Sequence, residues 1–242
     1  MNFLFVLVVG LAAGTISGIV GTGSSIMLMP VLIYQYGPKQ AVPIMAVAAV
    51  MANLSRILAW WREVDWRACA AYSLPGIPAA ALGARTLLAL PSRAVDLSIG
   101  VFLIAMVPVR HWLARHDLKF SLWQLAIGGA VIGYLTGIVV STGPLSVPLF
   151  LFYGLTRGAF LATEAASSLG LYVSKSVTFQ HFGALTADVA LKGLIAGSSL
   201  MSGAFIAKRF VLRLEPDVFR LVMDGIMLVA GLSMLWNALW NS

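Results

Sequence analysis

The chain has 242 residues, 60% of them hydrophobic and only 10% charged, and a mean hydropathy of +0.93. This excludes an ordinary soluble domain and points to an all-α polytopic membrane protein. The formal net charge of +7 does not imply nucleic acid: lysine and arginine lie mostly between apolar runs and form no basic, aromatic-interleaved patch. Cys69 is the single cysteine, so an intrachain disulfide or a cysteine cluster is excluded.

Residues 2–36 form one apolar run interrupted at Gly21–Ser25. The start, Met1-Asn2-Phe3, lacks the basic region of a signal peptide, so the run is expected to be a retained helix. As one straight helix it would exceed ~50 Å, against a bilayer core of ~30 Å. It is therefore expected to be a full span followed by a shorter helix. Tyr36-Gly37-Pro38-Lys39 predicts a turn, and residues 40–61 a helix ending in an interfacial Trp60-Trp61-Arg62 belt. After Glu63-Val-Asp-Trp66, residues 68–90 form a helix rich in small residues, with a kink expected at Pro75 and Pro78. Pro91-Ser-Arg93 opens the span 94–112.

Arg110–Lys119 is the most polar loop and reads as the joint between two halves. Its His111 and His116, like His181, lack metal-site spacing with carboxylates or Cys69, so no metal and no cofactor is expected. Beyond it the pattern returns: a span at 122–140, a break at 141–144, a short apolar piece at 145–153, then helices at 158–180 and 186–207. Tyr153-Gly154 matches Tyr36-Gly37, Glu215-Pro216 matches Leu90-Pro91, and Gly225 matches Gly100. The last helix ends at the interfacial pair Trp236 and Trp240. One transmembrane domain, 1–242, is expected, with a first repeat 1–113 and a second 120–242. Each has a broken first segment followed by about three full spans.

Loop charges bear on topology. If each broken segment crosses once, lysine and arginine divide almost evenly between the two sides. If each enters and returns, Arg62, Arg67, Arg110, Arg115, Lys119, Arg157, Lys208, Arg209, Arg213 and Arg220 fall on one side. Lys39, Arg85, Arg93 and Lys192 fall on the other. The second count makes the repeats inverted, with both ends of the chain outside the cytoplasm. It requires residues 26–36 and 145–153 to be unusually short crossings.

The two breaks are Gly18-Ile-Val-Gly-Thr-Gly-Ser-Ser25 and Gly137-Ile-Val-Val-Ser-Thr-Gly-Pro144. Flexible, hydroxylated stretches at bilayer depth survive where they are buried in protein or line a polar cavity. Interrupted segments at corresponding places in two halves mark a transporter's binding site. The plainer reading is glycine-mediated helix packing. Arg56 and Lys175 add a second signal, because Ser55-Arg56 aligns with Ser174-Lys175 and a central cation costs about 2.5–3.5 kcal/mol to insert. They either coordinate an anion or snorkel over the roughly 9 Å to their helix ends. Neither has an acid one turn away, and Glu164, three turns before Lys175, could reach it only by bending. Asn53 shares a face with Arg56, and Ser167 and Ser168 share one with Lys175. With helix N-termini at the breaks, these residues describe a site for a small oxyanion. Its candidates are Thr22, Gly23, Ser24, Ser25, Asn53, Arg56, Ser141, Thr142, Gly143, Ser167, Ser168 and Lys175.

Taken in order, the first break leading to Met29-Pro30, the second leading to Val147-Pro148, Glu63-Val-Asp-Trp-Arg67, Pro75-Gly76 and Gly83-Ala84 resemble the TauE/SafE sulfite exporter family, also called TSUP permeases. The likeness covers essentially the whole chain. It implies a multi-pass carrier in the bacterial inner membrane for sulfur-containing anions such as sulfite, thiosulfate or organosulfonates. Family members often have a glycine-richer first break than Gly21-Thr-Gly-Ser-Ser25.

The expected function is thus a secondary transporter, an exporter, and not an enzyme. Its partners are the lipid bilayer, the anion and a coupling ion, H+ or Na+. There is no nucleotide-binding motif to supply another drive, no His-Glu-x-x-His, and no base in sequence beside Ser24 or Thr142. The alternative is a membrane-embedded assembly factor or enzyme without transport activity.

Overall fold

The computed structural model describes residues 3–20, 24–115, 119–139, 142–155 and 157–210, with 224–225, 228–229, 231–232, 235–236 and 238–239. Gly21, Thr22, Gly23, His116, Asp117, Ser141, Arg213, Glu215, Pro216, Arg220 and Trp240, all singled out above, lie outside the described residues. Among the described residues the chain is helical with no strand. The helices are α1 (Phe3–Val20), α2 (Ser24–Tyr36), α3 (Pro38–Trp60), α4 (Trp66–Ala89), α5 (Ser92–Ala114), α6 (Leu122–Ile138), α7 (Gly143–Phe152), α8 (Arg157–His181) and α9 (Ala187–Phe210). A single 3-10 turn, Trp61–Glu63, joins α3 to the α4 approach, and the residues described between 224 and 239 are helical.

Local chemistry sets the ends. Gly37 holds φ at 74°, which only glycine adopts without strain, and lets α2 turn straight into α3. Gly154, with φ at 103°, does the same after α7. Asp65 caps α4, its carboxylate accepting from the backbone N–H groups of Arg67 at 2.9 Å and Ala68 at 3.0 Å. α4 then continues as one helix through Pro75 and Pro78. The first apolar run ends as α1 at Val20 and resumes as α2 at Ser24; the second ends as α6 at Ile138 and resumes as α7 at Gly143.

Burial departs from that of a soluble protein at both ends of the scale. Leu74, Leu82, Val8, Val131 and Val229 are exposed, while Asn53, Glu164, Ser167 and Lys175 are buried. Water would reverse that arrangement; hydrocarbon around the bundle explains it. Exposed Trp61, Trp66, Trp123 and Trp236 suit headgroup depth. Two stretches among the described residues are long and apolar enough to cross a bilayer, Lys39–Glu63 and Ala187–Ile206. Phe5–Ser17, Met27–Tyr36 and Leu122–Ile138 are apolar but shorter.

With lipid outside, helices associate through close packing, and small residues set how close they come. α4 lies against α6 through Gly76, Gly83, Gly129, Gly133 and Gly137; a Cβ on Gly133 would meet the Gly76 backbone, and one on Gly83 the carbonyl of Tyr134. α1 lies against α9 in the same manner, Gly14 facing the Leu200 backbone and Gly203 the carbonyl of Leu11. α3 packs on α8 and α9, and α8 on α4. This leaves α3 and α8 face to face at the centre, with the two breaks beside them.

Candidate anion site

A polar cavity lies between α3, α8 and the two breaks. It is small, about 20 Å³ of enclosed space, and open on one side. From α1 it takes Ser17; from the start of α2, Ser24 and Ser25; from α3, Ala49, Ala52, Asn53 and Arg56; from the start of α7, Thr142 and Gly143; from α8, Glu164, Ser168 and Tyr172. Two helix N-termini therefore open on one small space, where free N–H groups favour negative charge. The Thr142 hydroxyl, placed to cap α7, pairs with the Thr136 hydroxyl instead.

Arg56 is the centre of the lining. Its Nη1 donates to Glu164 Oε2 at 2.9 Å, and its Nη2 to Asn53 Oδ1. Its Nε is buried and has no hydrogen-bond partner. Asn53 is held in turn, Nδ2 donating to the Ala49 carbonyl at 2.8 Å. The other oxygen of Glu164, Oε1, accepts from Ser168 Oγ at 2.9 Å and from Ser146 Oγ at 3.0 Å. The cation and its counter-charge come from facing helices, so the ion pair ties α3 to α8. Its net charge is zero, which reduces the cost of burying Arg56.

Lys175 has a different setting. It is buried, with 1% exposure, and its ammonium donates to the carbonyls of Thr136 at 2.6 Å and Val139 at 2.9 Å. Those carbonyls lie in the last turn of α6 and at the Val139 cap that follows it, where the final C=O groups have no partner within the helix and the dipole end is negative. Phe179 lies below it, ring centroid 5.6 Å from Nζ. Lys175 thus fastens the end of α6 just before the second break and is not part of the cavity lining. Neither cation snorkels: the Arg56 side chain is 11% exposed, and both point inward.

Of the twelve residues expected from the sequence, Ser24, Ser25, Asn53, Arg56, Thr142, Gly143 and Ser168 lie together on the cavity. Ser167 is buried one position round from it, its carbonyl accepting from Ser73 Oγ at 3.3 Å. Thr22, Gly23 and Ser141 lie outside the described residues. Ser17, Ser146, Glu164 and Tyr172 enter without having been named as candidates. For Ser17 a signal existed, since it precedes Gly18 as Thr136 precedes Gly137. Glu164 was weighed as a partner for Lys175, but it pairs with Arg56. The described histidines lie elsewhere: His111 reaches Asp224 at 3.4 Å and His181 stacks edge-on against Phe182. Among the described residues no cluster of histidine, cysteine and acids could hold a metal.

The family described as "Sulfite exporter TauE/SafE" matches residues 6–234. The chain belongs to the TauE/SafE family. Two relatives carry transporter names. "Probable membrane transporter protein YjnA" of Bacillus subtilis (strain 168) is 23% identical over 254 aligned residues, covering 95% of this chain and 98% of that protein. "Probable membrane transporter protein y4hK" of Sinorhizobium fredii (strain NBRC 101917 / NGR234) is 28% identical over 191 residues, covering 72% of this chain and 73% of that protein. No solved structure matches the chain. A membrane transporter of the TauE/SafE type is the function these likenesses support, and the cavity lies where such a transporter needs one, at interrupted helices inside an apolar bundle.

Proposed function

We propose that this TauE/SafE protein is a secondary transporter that exports small sulfur-containing anions, such as sulfite, thiosulfate or organosulfonates, across the bacterial inner membrane. Arg56 is the anion's anchor. The observation that carries this is its buried, unpartnered Nε beside a cavity rimmed by hydroxyls and two helix N-termini. A guanidinium with a free donor matches an oxyanion in charge and geometry. Ser24, Ser25, Thr142, Gly143 and Ser168 supply short-range donors, and Asn53 and Glu164 hold the guanidinium in position. Thr22, Gly23 and Ser141 complete the two breaks in the same reading. The arrangement binds and releases; it offers no attacking group beside a general base, because the carboxylate of Glu164 is engaged by Arg56, Ser146 and Ser168.

The chain crosses the membrane several times as two inverted repeats, 1–113 and 120–242. In support, the first helix of each half packs on the helix of the other half that follows its long central one: α1 on α9, and α6 on α4. The central pair α3 and α8 lies between them. Reporter fusions at residues 114 and 242 should then report opposite sides of the membrane; the same side for both would return the topology to four passes per half.

Purified protein sealed in vesicles tests the function. Radiolabelled sulfite, thiosulfate and methanesulfonate are each offered for exchange against trapped unlabelled anion. Exchange of at least one is expected, abolished in Arg56→Ala. Product formation instead would make the protein an enzyme, and neither exchange nor product would favour an assembly factor.

A further inference from the structure

We infer that Glu164 is a proton-binding site, and that the anion enters its place on Arg56 together with one proton. This rests on the anion reading above and adds to it the coupling ion, the residue that takes it and the stoichiometry; carried with a proton, the anion is exported down its own outward gradient and not by the proton gradient.

The inference starts from what occupies Arg56. In this structure a carboxylate, itself an oxyanion, holds Nη1 at 2.9 Å, leaving Nε as the free donor. An incoming anion that takes Nε together with the adjacent Nη2 meets the Asn53 oxygen there and lies beside that carboxylate across the guanidinium. Charge decides the condition. Arg56 and Glu164 sum to zero; a monoanion added to them leaves an uncompensated negative charge in a buried site, which is costly. A proton taken from hydronium by Glu164, leaving water, restores neutrality. The same proton changes the chemistry of the carboxyl: Oε2 turns from an acceptor for Arg56 into an O–H donor, able to face the anion. Oε1 can keep its two hydroxyl donors, Ser146 and Ser168. The carboxyl therefore stays in position while its outer oxygen is released.

The groups around Glu164 leave it as the one to take the proton. From α3 come Arg56 and Asn53; from α7, Ser146; from α1, Ser17 across the cavity. From α4 the Tyr72 phenol lies within electrostatic reach, its ring 5.1 Å from that of Phe150. On α8 itself are Ser168, Tyr172 and, three turns on, Lys175, whose ammonium is held by two carbonyls. Glu63, on the 3-10 turn, faces Gly158 nearer the start of α8. Of these, only Glu164 is both a carboxylate and a direct partner of the guanidinium.

The test uses the whole protein in liposomes of phosphatidylethanolamine and phosphatidylglycerol with a pH-sensitive dye inside. Methanesulfonate and thiosulfate are the probes, because neither takes up a proton near neutral pH; the one-proton slope is set by the monoanion methanesulfonate, and the dianion thiosulfate keeps one charge beyond it. Imposing an inward gradient of an exchanged probe should acidify the lumen, and lowering pH by one unit should tighten half-saturation by up to tenfold, the slope for one proton per anion. Glu164→Gln should flatten that slope. Glu164→Asp keeps a carboxylate, and so the counter-charge to Arg56, and guards against misfolding: infrared difference spectra with and without probe should show a protonated-carboxyl band that moves in this variant. Exchange with a static lumen overturns the coupling and leaves the anion reading standing; a sodium requirement with a static lumen does the same. A wild-type slope in Glu164→Gln, or a carboxyl band unmoved in Glu164→Asp, removes Glu164 from the role. Exchange of neither probe overturns the anion reading for them and this inference with it.

Discussion

Arg56 and Lys175 stand at matching positions, each preceded by serine on a long central helix, yet their surroundings differ. Arg56 faces a cavity, shares its charge with a carboxylate from the opposite helix and keeps its Nε without a partner. Lys175 is enclosed, has two backbone carbonyls as its partners and holds down the end of α6. A buried cation signals that something negative must be near it; it does not say whether that is a ligand or the end of a helix. The unpartnered atom separates the two. A planar fork can hold Glu164 and Asn53 and still offer Nε, whereas two of the three N–H groups of the ammonium go to the end of α6.

The largest expected effect follows from deleting the fork. Arg56→Ala should weaken anion binding by at least a hundredfold, about 2.7 kcal/mol. It also leaves Glu164 buried without its counter-charge, a loss of about 3–5 kcal/mol for a broken buried pair, so the thermal midpoint in detergent should fall. Arg56→Lys keeps the charge and loses the fork, and should weaken binding roughly tenfold to thirtyfold, about 1.4–2 kcal/mol. Equal affinity for wild type and both variants would end the distinction between the two cations.

Much of this arrangement was legible beforehand. Glycine, serine and threonine inside apolar runs located both breaks, because lipid-facing helix does not carry them without a reason. Asn53 follows from Arg56 by helical spacing alone, three residues being one turn. The rest depends on how helices face one another. Glu164 lies 108 residues from Arg56, and a single helix face cannot reveal which opposing helix will meet it. Lys175 was harder still, since its partners are carbonyls of Thr136 and Val139, and backbone atoms have no residue signature. Had helix ends been treated as acceptors in their own right, α6 stopping near Lys175 would have been a usable hint.

Lys175→Met tests the enclosed cation. Two opposing effects are involved. Removing a buried charge saves about 2.5–3.5 kcal/mol of insertion cost. Losing two charge-assisted hydrogen bonds forfeits about 1.5–3 kcal/mol each. The hydrogen bonds win by a small margin, so a net destabilisation of about 1–3 kcal/mol is expected, read as a lower thermal midpoint and folded yield. Anion affinity of the folded fraction should stay within about threefold of wild type, under 0.7 kcal/mol. A tenfold loss at unchanged stability would move Lys175 into the site.

The smallest effect is expected from Lys175→Arg, and it sharpens the comparison most. Charge is conserved, and a guanidinium could in principle serve both carbonyls at once. Volume is the obstacle. Arg56 has a cavity beside it, whereas Lys175 is 1% exposed, with the α6 terminus on one side and Phe179 on the other. Extra atoms in a closed site force neighbours off their preferred rotamers, at a cost of about 1–3 kcal/mol. The retained charge and hydrogen bonds offset part of that, leaving a fall of about 1 kcal/mol in stability and no more than a twofold change in affinity. The same exchange in reverse, Arg56→Lys, removes atoms beside an existing cavity and should do the opposite, sparing the fold and weakening the anion. If both swaps instead changed affinity and stability in the same proportion, the two cations would share one role, and the cavity would have to extend as far as Lys175.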